Sequence, residues 1–399
     1  MTAKIARVIT EVLDRHTDEL VGLLRELAVL ESPSTEPQRQ RPVLELLAGE
    51  LDLLGMELEI LRGDASGGWL IARAGAGDGP TQLVVGHCDT VWPVGTLEDM
   101  PFEIVNGLAR GPGVYDIKAG LVQMIGALRA LHEVGILCEV APVIVVNSDE
   151  ETGSRESTPT IRELAARADR ALILEPSLGV HGCLKTQRKG GGSFIVEITG
   201  RAAHAGLAPG TGSSAILELS YVVQRLFALN DPAAGIAVNV GVIEGGTRSN
   251  VVAEEASAVV DVRVARQDDG ALIEKAIRSL QPVLEGSTLK VTGRMGRPPM
   301  EPTARNRSIW RVARRLGEGL GLDLSACSAG GTSDGNTTSS YTATLDGLGA
   351  VGDGAHARDE HVLVDQIPVR AALLALLLAE PPLQQHDCLA SATSGKRTA

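Results

Sequence analysis

The sequence predicts an α/β protein with a mostly parallel sheet, interrupted by a smaller inserted α+β domain. Three observations indicate this fold class. In residues 1–182 short apolar strand segments alternate with helical segments, as in a series of βαβ units. Between residues 183 and 298 the strands instead alternate apolar and polar positions, and after residue 299 the first pattern resumes. We therefore expect one domain formed by 1–182 and 299–399, with a second domain, 183–298, inserted between its halves.

The elements of the first segment follow from local patterns. Helical apolar spacing is found at residues 5–30 and 41–55, on either side of a Ser/Pro-rich loop. The remaining elements are predicted, in order, as strands at 56–61, 69–73 and 82–86, a helix at 117–134, a strand at 138–147, a helix at 159–167 and a strand at 170–175. Several of these strands end next to His, Asp or Glu. Active sites of such sheets form at the carboxyl ends of the strands, so we expect the chemistry there.

The inserted segment and the C-terminal part are predicted in the same way. The insert has strands at 193–199, 236–243, 256–265 and 288–293 and helices at 213–229 and 268–282, with the three glycines at 190–192 as a hinge. The C-terminal part has a helix at 305–320, a loop at 328–340, a strand at 341–345 and a helix at 366–379. The tail from Pro381 lacks periodicity and is predicted to be mobile.

Composition excludes several classes of partner. The chain has 37 Lys plus Arg against 50 Asp plus Glu, a net charge of −13, with three Phe, three Trp and three Tyr. Nucleic-acid binding needs basic grooves and stacking rings, and anionic membranes attract polybasic segments, so neither partner is expected. The start of the chain is an amphipathic helix rather than a signal peptide, and no apolar run approaches the ~18 residues that span a bilayer. Five cysteines without a CxxC pair indicate reduced thiols and a cytoplasmic protein.

Polar residues after the apolar segments form a mixed imidazole and carboxylate set. Its members are His87, Asp89, Asp116, the run Asp149-Glu150-Glu151, Glu175 and, far downstream, His356. Such donors suit zinc, cobalt or manganese, and they exceed what one tetrahedral zinc needs, so a two-metal site with a bridging carboxylate is predicted. Asp89 is close enough in sequence to orient His87. Of the adjacent pair Glu150 and Glu151, one can bind metal while the other acts as general base. Each residue alone is more commonly a solvated acid or a structural histidine; only the set indicates a site.

Six spaced motifs also carry a family resemblance. They are VVGHCDTVWP from Val84, GPGVYDIKAG from Gly111, NSDEETGS from Asn147, LEPS from Leu174, GGTSDGN from Gly330 and GAHARDE from Gly354. In this order they resemble the signatures of the zinc-dependent exopeptidases and deacylases that include acetylornithine deacetylase, succinyl-diaminopimelate desuccinylase and glutamate carboxypeptidase, with the last most similar. The resemblance implies a catalytic α/β domain of zinc-exopeptidase type with a ferredoxin-like α+β lid.

The resemblance also implies roles for the residues at the metal site. It places one zinc on His87, Asp116 and Glu175 and a second zinc on Asp116, Glu151 and His356, so that Asp116 bridges two Zn²⁺ per subunit, with Co²⁺ or Mn²⁺ as alternatives. It makes Glu150 the general base and Asp89 the residue that orients His87. A cis peptide bond after Asp116 is implied as well.

The insert supplies further candidates by the same resemblance. His204 would reach the active site of the partner subunit and stabilise the oxyanion, so a homodimer through the lid is expected. Asn250 and Gly331 would contact substrate. Arg263 and Arg297 would grip a carboxylate, for which a guanidinium is well shaped, although an arginine on a strand surface is an equally common explanation of each.

The expected activity is metal-dependent release of a C-terminal amino acid, glutamate-like, from a small N-acyl or peptidyl substrate. An N-acyl-amino-acid deacylase of the acetylornithine or succinyl-diaminopimelate type is the alternative within the family. A catalytically silent metal-binding protein is the alternative from another class. A dehydrogenase is disfavoured because no GxGxxG lies between a strand and a helix.

Overall fold

The computed structural model describes residues 3–75, 79–208 and 210–383. The helices in chain order are α1 (Ala3–Arg15), α2 (Thr17–Val29), α3 (Pro37–Asp52), α4 (Thr96–Asp99), α5 (Ala119–Val134), α6 (Thr158–Arg167), α7 (Ala215–Phe227), α8 (Gln267–Arg278), α9 (Ala304–Gly319), α10 (Asp334–Thr338) and α11 (Gln366–Leu378). The first strands are β1 (Glu57–Leu61), β2 (Trp69–Arg73), β3 (Thr81–His87), β4 (Glu103–Val105), β5 (Leu108–Arg110), β6 (Ala141–Asn147), β7 (Ala168–Ile173), β8 (Leu184–Arg188) and β9 (Gly190–Thr199). They are followed by β10 (Ala237–Gly245), β11 (Glu255–Val264), β12 (Thr288–Met295), β13 (Ala326–Ala329), β14 (Ala343–Leu345), β15 (Gly352–Asp353) and β16 (His361–Leu363).

These elements confirm most of the pattern predictions and correct three. The helical stretch at 5–30 is two helices, with the break at His16. The glycines at 190–192 are no hinge, because they pair in register with residues of β11 as the start of β9. The predicted loop at 328–340 contains the end of β13 and the short helix α10, whose first turn is closed by a capping box between Ser333 and Asn336. The tail beyond residue 383, predicted to be mobile, lies outside the described residues.

The chain divides into two compact units. Unit 1 contains residues 1–187, 302–329 and 333–399, and unit 2 contains residues 188–301 and 330–332. Within the described parts of both units, no helix combines the length and the apolar character needed to cross a bilayer.

Unit 1 is built on a six-stranded sheet in the order β1-β2-β6-β3-β7-β14. The four strands from β6 to β14 run parallel, and β2 joins them antiparallel at the β6 edge. The alternating side chains of these strands fill two apolar cores. The larger core lies on one face of the sheet and includes side chains from helices α1, α2, α3, α5, α9 and α11. On the other face, the smaller core includes Ile161 and Ala165 of α6. This three-layer arrangement confirms the predicted fold class.

A buried arginine joins the sheet to the C-terminal helix of unit 1. Arg170 on β7 has no exposed surface and donates to the side-chain oxygen of Gln82 on β3. Its guanidinium also donates to the backbone oxygens of Leu377, Glu380 and Pro381 at the end of α11. The last carbonyls of a helix lack partners within the helix, so Arg170 caps α11 from the interior of the protein.

Unit 2 has a four-stranded antiparallel sheet in the order β10-β11-β9-β12. The strands and helices follow one another as β9-α7-β10-β11-α8-β12, which is the ferredoxin-like arrangement. One face of the sheet packs on α7 and α8 through a separate apolar core. Glu218 of α7 is fully buried, and its carboxylate accepts the backbone N–H groups of Val283 and Leu284.

Candidate metal centre

The sheet of unit 1 brings the predicted ligand segments to one edge. His87 is the last residue of β3 and pairs in parallel register with Asn147, the last residue of β6. Glu150 and Glu151 follow β6 directly, and Glu175 follows β7, the other parallel neighbour of β3. Three adjacent parallel strands therefore present their carboxyl ends, with these side chains, at the same place.

Asp116 lies between the two predicted histidine ligands. One of its oxygens, Oδ1, is 3.4 Å from His87 Nε2, and the other, Oδ2, is 3.3 Å from His356 Nε2. Glu175 Oε1 lies 3.6 Å from His87 Nε2, and Glu151 Oε1 lies 3.1 Å from His356 Nε2. Each imidazole thus has its own carboxylate and shares Asp116 with the other. The Asp116–Ile117 peptide bond is cis, as the resemblance implied.

The ligand atoms form two overlapping groups of suitable size for a metal ion. Atoms of His87, Glu150 and Glu175 all lie within 4.8 Å of one another, and so do atoms of His87, Asp116 and Glu151. Asp116 Oδ1 is buried and makes no hydrogen bond in good geometry. A buried carboxylate oxygen facing an imidazole nitrogen needs a counter-charge. The residues therefore fit divalent metal ions, and the donor set suits zinc.

Electrostatics in the cluster favour positive charge. Burial by itself raises the pKa of Asp116, but the neighbouring His356 and His87 together hold it far below its usual range. Hydrogen bonds to Asp116 and Glu151 raise the pKa of His356 to about 10. Burial opposes protonation of His87, yet contacts with Asp116, Asp89 and Glu175 raise its pKa well above 6.5. The carboxylates thus attract cations to this site, either protons on the imidazoles or metal ions between them.

Asp89 connects the histidine ligand with the two adjacent glutamates. His87 Nδ1 lies 3.3 Å from Asp89 Oδ1 and 3.0 Å from the backbone oxygen of Asp89. The backbone N–H of Glu150 donates to Oδ1 at 3.2 Å, and that of Glu151 donates to Oδ2 at 3.1 Å. The Ser34 hydroxyl donates to Oδ2 at 2.8 Å. One carboxylate therefore orients the imidazole and holds the turn that carries Glu150.

Two buried acids at the site were not predicted. Asp334 accepts from Asn147 Nδ2 at 2.7 Å and from the Ser154 hydroxyl at 2.6 Å, so it holds both ends of the turn with Glu150 and Glu151. Glu360 accepts hydrogen bonds from the segment that contains Asp116. Their only sequence signal is their position inside the GGTSDGN and GAHARDE motifs. Asp149, by contrast, accepts the Ser157 hydroxyl at 2.6 Å and the backbone N–H of Glu156 at 2.8 Å, so it holds the residues that precede α6.

The other predicted residues lie in unit 2. His204 is exposed, and its Nδ1 accepts the backbone N–H groups of Gly206 and Leu207, both at 3.1 Å. An accepting nitrogen carries no proton, so neutral His204 has its proton on Nε2 and is a donor there. Exposed Asn250 is close by, since its backbone oxygen accepts the N–H of Ala205.

The two predicted arginines lie on either side of Gly191. Arg263 pairs with Gly191 in register on β11, and its Nε and Nη2 bind Asp261 at 3.0 and 3.1 Å. The backbone oxygen of Arg297 accepts the N–H of Gly191 at 3.1 Å. Gly331 is exposed, and its backbone oxygen accepts from Arg188 Nη1. The structure thus gathers the arginines near one backbone position, and Arg263 already holds a carboxylate in bidentate geometry.

Comparison with known proteins agrees with this geometry. The sequence profile of peptidase family M20/M25/M40 matches residues 83–380. Carboxypeptidase G2 from Pseudomonas sp. (strain RS-16) is 29% identical over 374 residues, covering 91% of this chain and 90% of that protein. Succinyl-diaminopimelate desuccinylase from Thioalkalivibrio sulfidiphilus (strain HL-EbGR7) is 27% identical over 360 residues, covering 84% of this chain and 93% of that protein.

Solved structures show the same fold. The aminopeptidase PepT of Bacillus cereus ATCC 10987 superimposes with a TM-score of 0.77 at 23% identity, covering 91% of this chain and 98% of that one. The M20 family metallo-carboxypeptidase Sso-CP2 of Sulfolobus solfataricus gives a TM-score of 0.72 at 16% identity, with 90% and 99% covered.

Proposed function

This chain belongs to peptidase family M20/M25/M40, a family of hydrolytic enzymes, and on that premise we propose that it is a dizinc exopeptidase releasing a glutamate-like C-terminal amino acid from an N-acyl or peptidyl substrate. The observation that carries the proposal is Asp116, which offers one carboxylate oxygen to each of two histidines. One zinc would be held by His87, Asp116 and Glu175 and the other by Asp116, Glu151 and His356. When bound, two zinc ions supply Lewis acidity toward the scissile carbonyl and the attacking water.

Glu150 is the proposed general base. Its neighbour Glu151 is assigned to metal, while Glu150 has an oxygen within the same cluster as His87 and Glu175. The side chain is largely shielded from solvent, and its backbone N–H is held by Asp89. In this position it takes a proton from the attacking water and returns it to the leaving nitrogen.

Substrate contacts are proposed for residues of unit 2. His204 would donate from Nε2 to the developing oxyanion of the partner subunit's substrate, a role supported by its tautomer. Arg263 and Arg297 would bind the free carboxylate of the released amino acid. Arg263 Nε and Nη2 bind Asp261 in this structure, so the substrate carboxylate would replace that contact. Asn250 and Gly331, both exposed, would contact the remaining polar groups of the substrate.

A homodimer through unit 2 is also proposed. The edge strand β10 exposes 51% of Val242 and 57% of Ile243, and α7 exposes Leu217 and Tyr221. An open strand edge beside an apolar helix surface is suited to pairing with a second copy about a two-fold axis. We further place the protein in the cytoplasm, because the four described cysteines are all free thiols.

A deacylase acting on N-acyl-amino acids is the second candidate. It uses the same metal centre, and the similarity to a succinyl-diaminopimelate desuccinylase favours it. A substrate panel separates the two functions. N-Acyl-glutamates and short peptides ending in glutamate test the exopeptidase, and N-succinyl-diaminopimelate and N-acetylornithine test the deacylase.

The mechanism is tested by comparing Glu150→Gln with Glu151→Gln. Loss of a general base costs about 100-fold or more in kcat. Glu150→Gln is expected to lose this activity while retaining about two zinc ions per chain, whereas Glu151→Gln is expected to lose zinc as well. Wild-type activity in Glu150→Gln would refute the assignment of the base. If the wild-type protein binds zinc but hydrolyses no substrate of the panel, the result would favour the alternative of a catalytically silent metal-binding protein.

A further inference from the structure

Glu360 is a fully buried acid that is separate from the ligand groups. It lies four residues after His356, and none of its surface is exposed. Its oxygens do not appear in either cluster of potential ligand atoms. A buried carboxylate needs hydrogen bonds or a counter-charge to offset its lost hydration, so its partners indicate what it does.

All four observed donors to Glu360 come from segments that carry metal-site residues. Oε1 accepts the backbone N–H of Tyr115 at 2.9 Å and that of Asp116 at 3.0 Å. Oε2 accepts the backbone N–H of Gly113 at 2.9 Å and the indole N–H of Trp92 at 2.8 Å. The first three belong to the turn that contains Asp116, and Trp92 belongs to the loop that follows His87.

The turn that contains Asp116 depends on such an anchor. Gly113 has a φ of 73°, and Asp116 and Ile117 have non-helical dihedrals, so the N–H groups at 115 and 116 are not used by a regular helix. Glu360 supplies the acceptors instead. On the other side of the same turn, the Tyr115 hydroxyl donates to the backbone oxygen of Ser177 at 2.6 Å.

The chemistry of the contact requires a carboxylate. Four donors converge on two oxygens, and an ionised carboxylate is acceptor-only at both. Glutamine would keep one accepting oxygen and turn an NH₂ group toward two N–H donors. The interaction is therefore specific for the charged acid and not only for a side chain of that size.

We propose that Glu360 is a positioning residue of the metal centre, which fixes the backbone of Gly113–Asp116 and thereby places the two oxygens of Asp116 between His87 and His356. This inference rests on the proposed two-metal function of the site. Glu360 and His356 lie in one tight turn, with the N–H of Ala357 donating to Gly354 and the N–H of Glu360 donating to Ala357. A single turn therefore supplies a ligand directly and positions the bridging ligand indirectly.

The test compares Glu360→Gln with Glu218→Gln. Glu218 is a matched control, because it is equally buried and also accepts backbone N–H groups, but it belongs to unit 2. Zinc affinity is measured by competition with a chromophoric chelator, and the visible spectrum of the Co²⁺-loaded protein reports ligand geometry. Glu360→Gln is expected to bind zinc about 10-fold to 100-fold more weakly and to change the Co²⁺ spectrum. Glu218→Gln is expected to lower the melting temperature and leave both metal readouts unchanged.

A folded Glu360→Gln protein with wild-type zinc affinity and spectrum would overturn the proposal. If Glu360→Gln does not fold, the variant Trp92→Phe tests the proposal instead, because it removes one of the four donors to Glu360 and leaves the carboxylate in place. That variant is expected to shift the Co²⁺ spectrum and weaken zinc binding, and wild-type values for both would equally overturn the proposal. These readouts do not depend on turnover. A wild-type protein that binds two zinc ions but hydrolyses no substrate would refute the proposed activity while leaving the role of Glu360 standing.

Discussion

Replacing Asp89 by asparagine tests whether one carboxylate aligns the metal ligand and the base together. Asp89 receives four contacts, from His87, Ser34 and the backbone N–H groups of Glu150 and Glu151. The amide of asparagine accepts on one oxygen only, so two of the four donors would face an NH₂ group. Each buried donor left without its acceptor costs about 1–3 kcal/mol. The total is about 2–6 kcal/mol. The variant relaxes to avoid this cost, and the aligned geometry of the transition state must be restored against it, so the lower limit corresponds to about a 30-fold loss of kcat/KM.

The assay combines steady-state kinetics on zinc-loaded protein with a zinc titration. Asp89→Asn should lose at least about 30-fold in kcat/KM, with a weaker zinc affinity because His87 is no longer oriented. Ser34→Ala is the control, since it removes one donor and leaves the carboxylate intact, and it should lose less. If Asp89→Asn kept wild-type kcat/KM, the argument that this carboxylate aligns the site would be wrong.

Three further predictions concern metal, stability and pH. Chelator treatment should abolish hydrolysis, and added zinc should restore it at about two ions per chain; full activity in metal-free protein would contradict the mechanism. Arg170→Met should lower the free energy of unfolding in urea by about 3–5 kcal/mol, because the buried carbonyls at the end of α11 and Gln82 lose their donor; a loss below about 1 kcal/mol would show that the cap is dispensable. Hydrogen bonds to Glu19 and Glu133 raise the pKa of His16 above 6.5 in the folded state. The stabilisation of the folded state by protonated His16 is therefore complete below the unfolded pKa and is lost as pH rises through the folded pKa. The difference in unfolding free energy between wild type and His16→Gln should therefore shrink as pH rises above about 6.5. A difference independent of pH would contradict this.

His87, Glu151 and Glu175, which we propose as metal ligands, were predictable because they lie at or just after the ends of apolar strands. The buried strands β3, β6 and β7 stand out as apolar runs, and in a parallel sheet their carboxyl ends must meet. His356 was different. It follows no long strand. The sequence pattern included it only as a distant member of the imidazole and carboxylate set, and the resemblance gave it a specific role. Its backbone φ of 61° lies in the left-handed region, in a turn whose conformation depends on the surrounding structure.

The supporting acids could not be derived from local sequence. Glu360 and Asp116 are 244 residues apart in the chain, and Asp334 and Asn147 are 187 apart. An isolated acid in a polar loop has the same local appearance whether it is solvated or buried, and only the fold supplies the donors that make burial possible. The short strands β4, β5, β15 and β16 were not predicted for a related reason. Two or three residues are too few to show the alternation of apolar and polar positions that indicates a strand.

The glycines at 190–192 show how pairing overrides composition. Consecutive glycines suggest flexibility, yet they continue β9 and are bound in register by residues 262–264 of β11. A Cβ at Gly190 would lie 2.7 Å from the backbone nitrogen of Pro299, so the strand has no space for a side chain at that position. Close approach, rather than mobility, explains this glycine.

The ends of the long inserted segment of unit 2 are tied to each other. Arg188 and Met300 form a bridge in which each backbone N–H donates to the other residue's oxygen at 3.0 Å. The inserted segment therefore begins and ends at one hydrogen-bonded pair of residues, as the loop of a β-hairpin does. With this attachment, the residues between Arg188 and Met300 can be replaced while the chain outside them keeps the same two connection points. Under the proposed function, changes between these two positions would alter the proposed substrate contacts of His204, Asn250, Arg263 and Arg297. The proposed metal ligands, all encoded outside these positions, would stay unchanged.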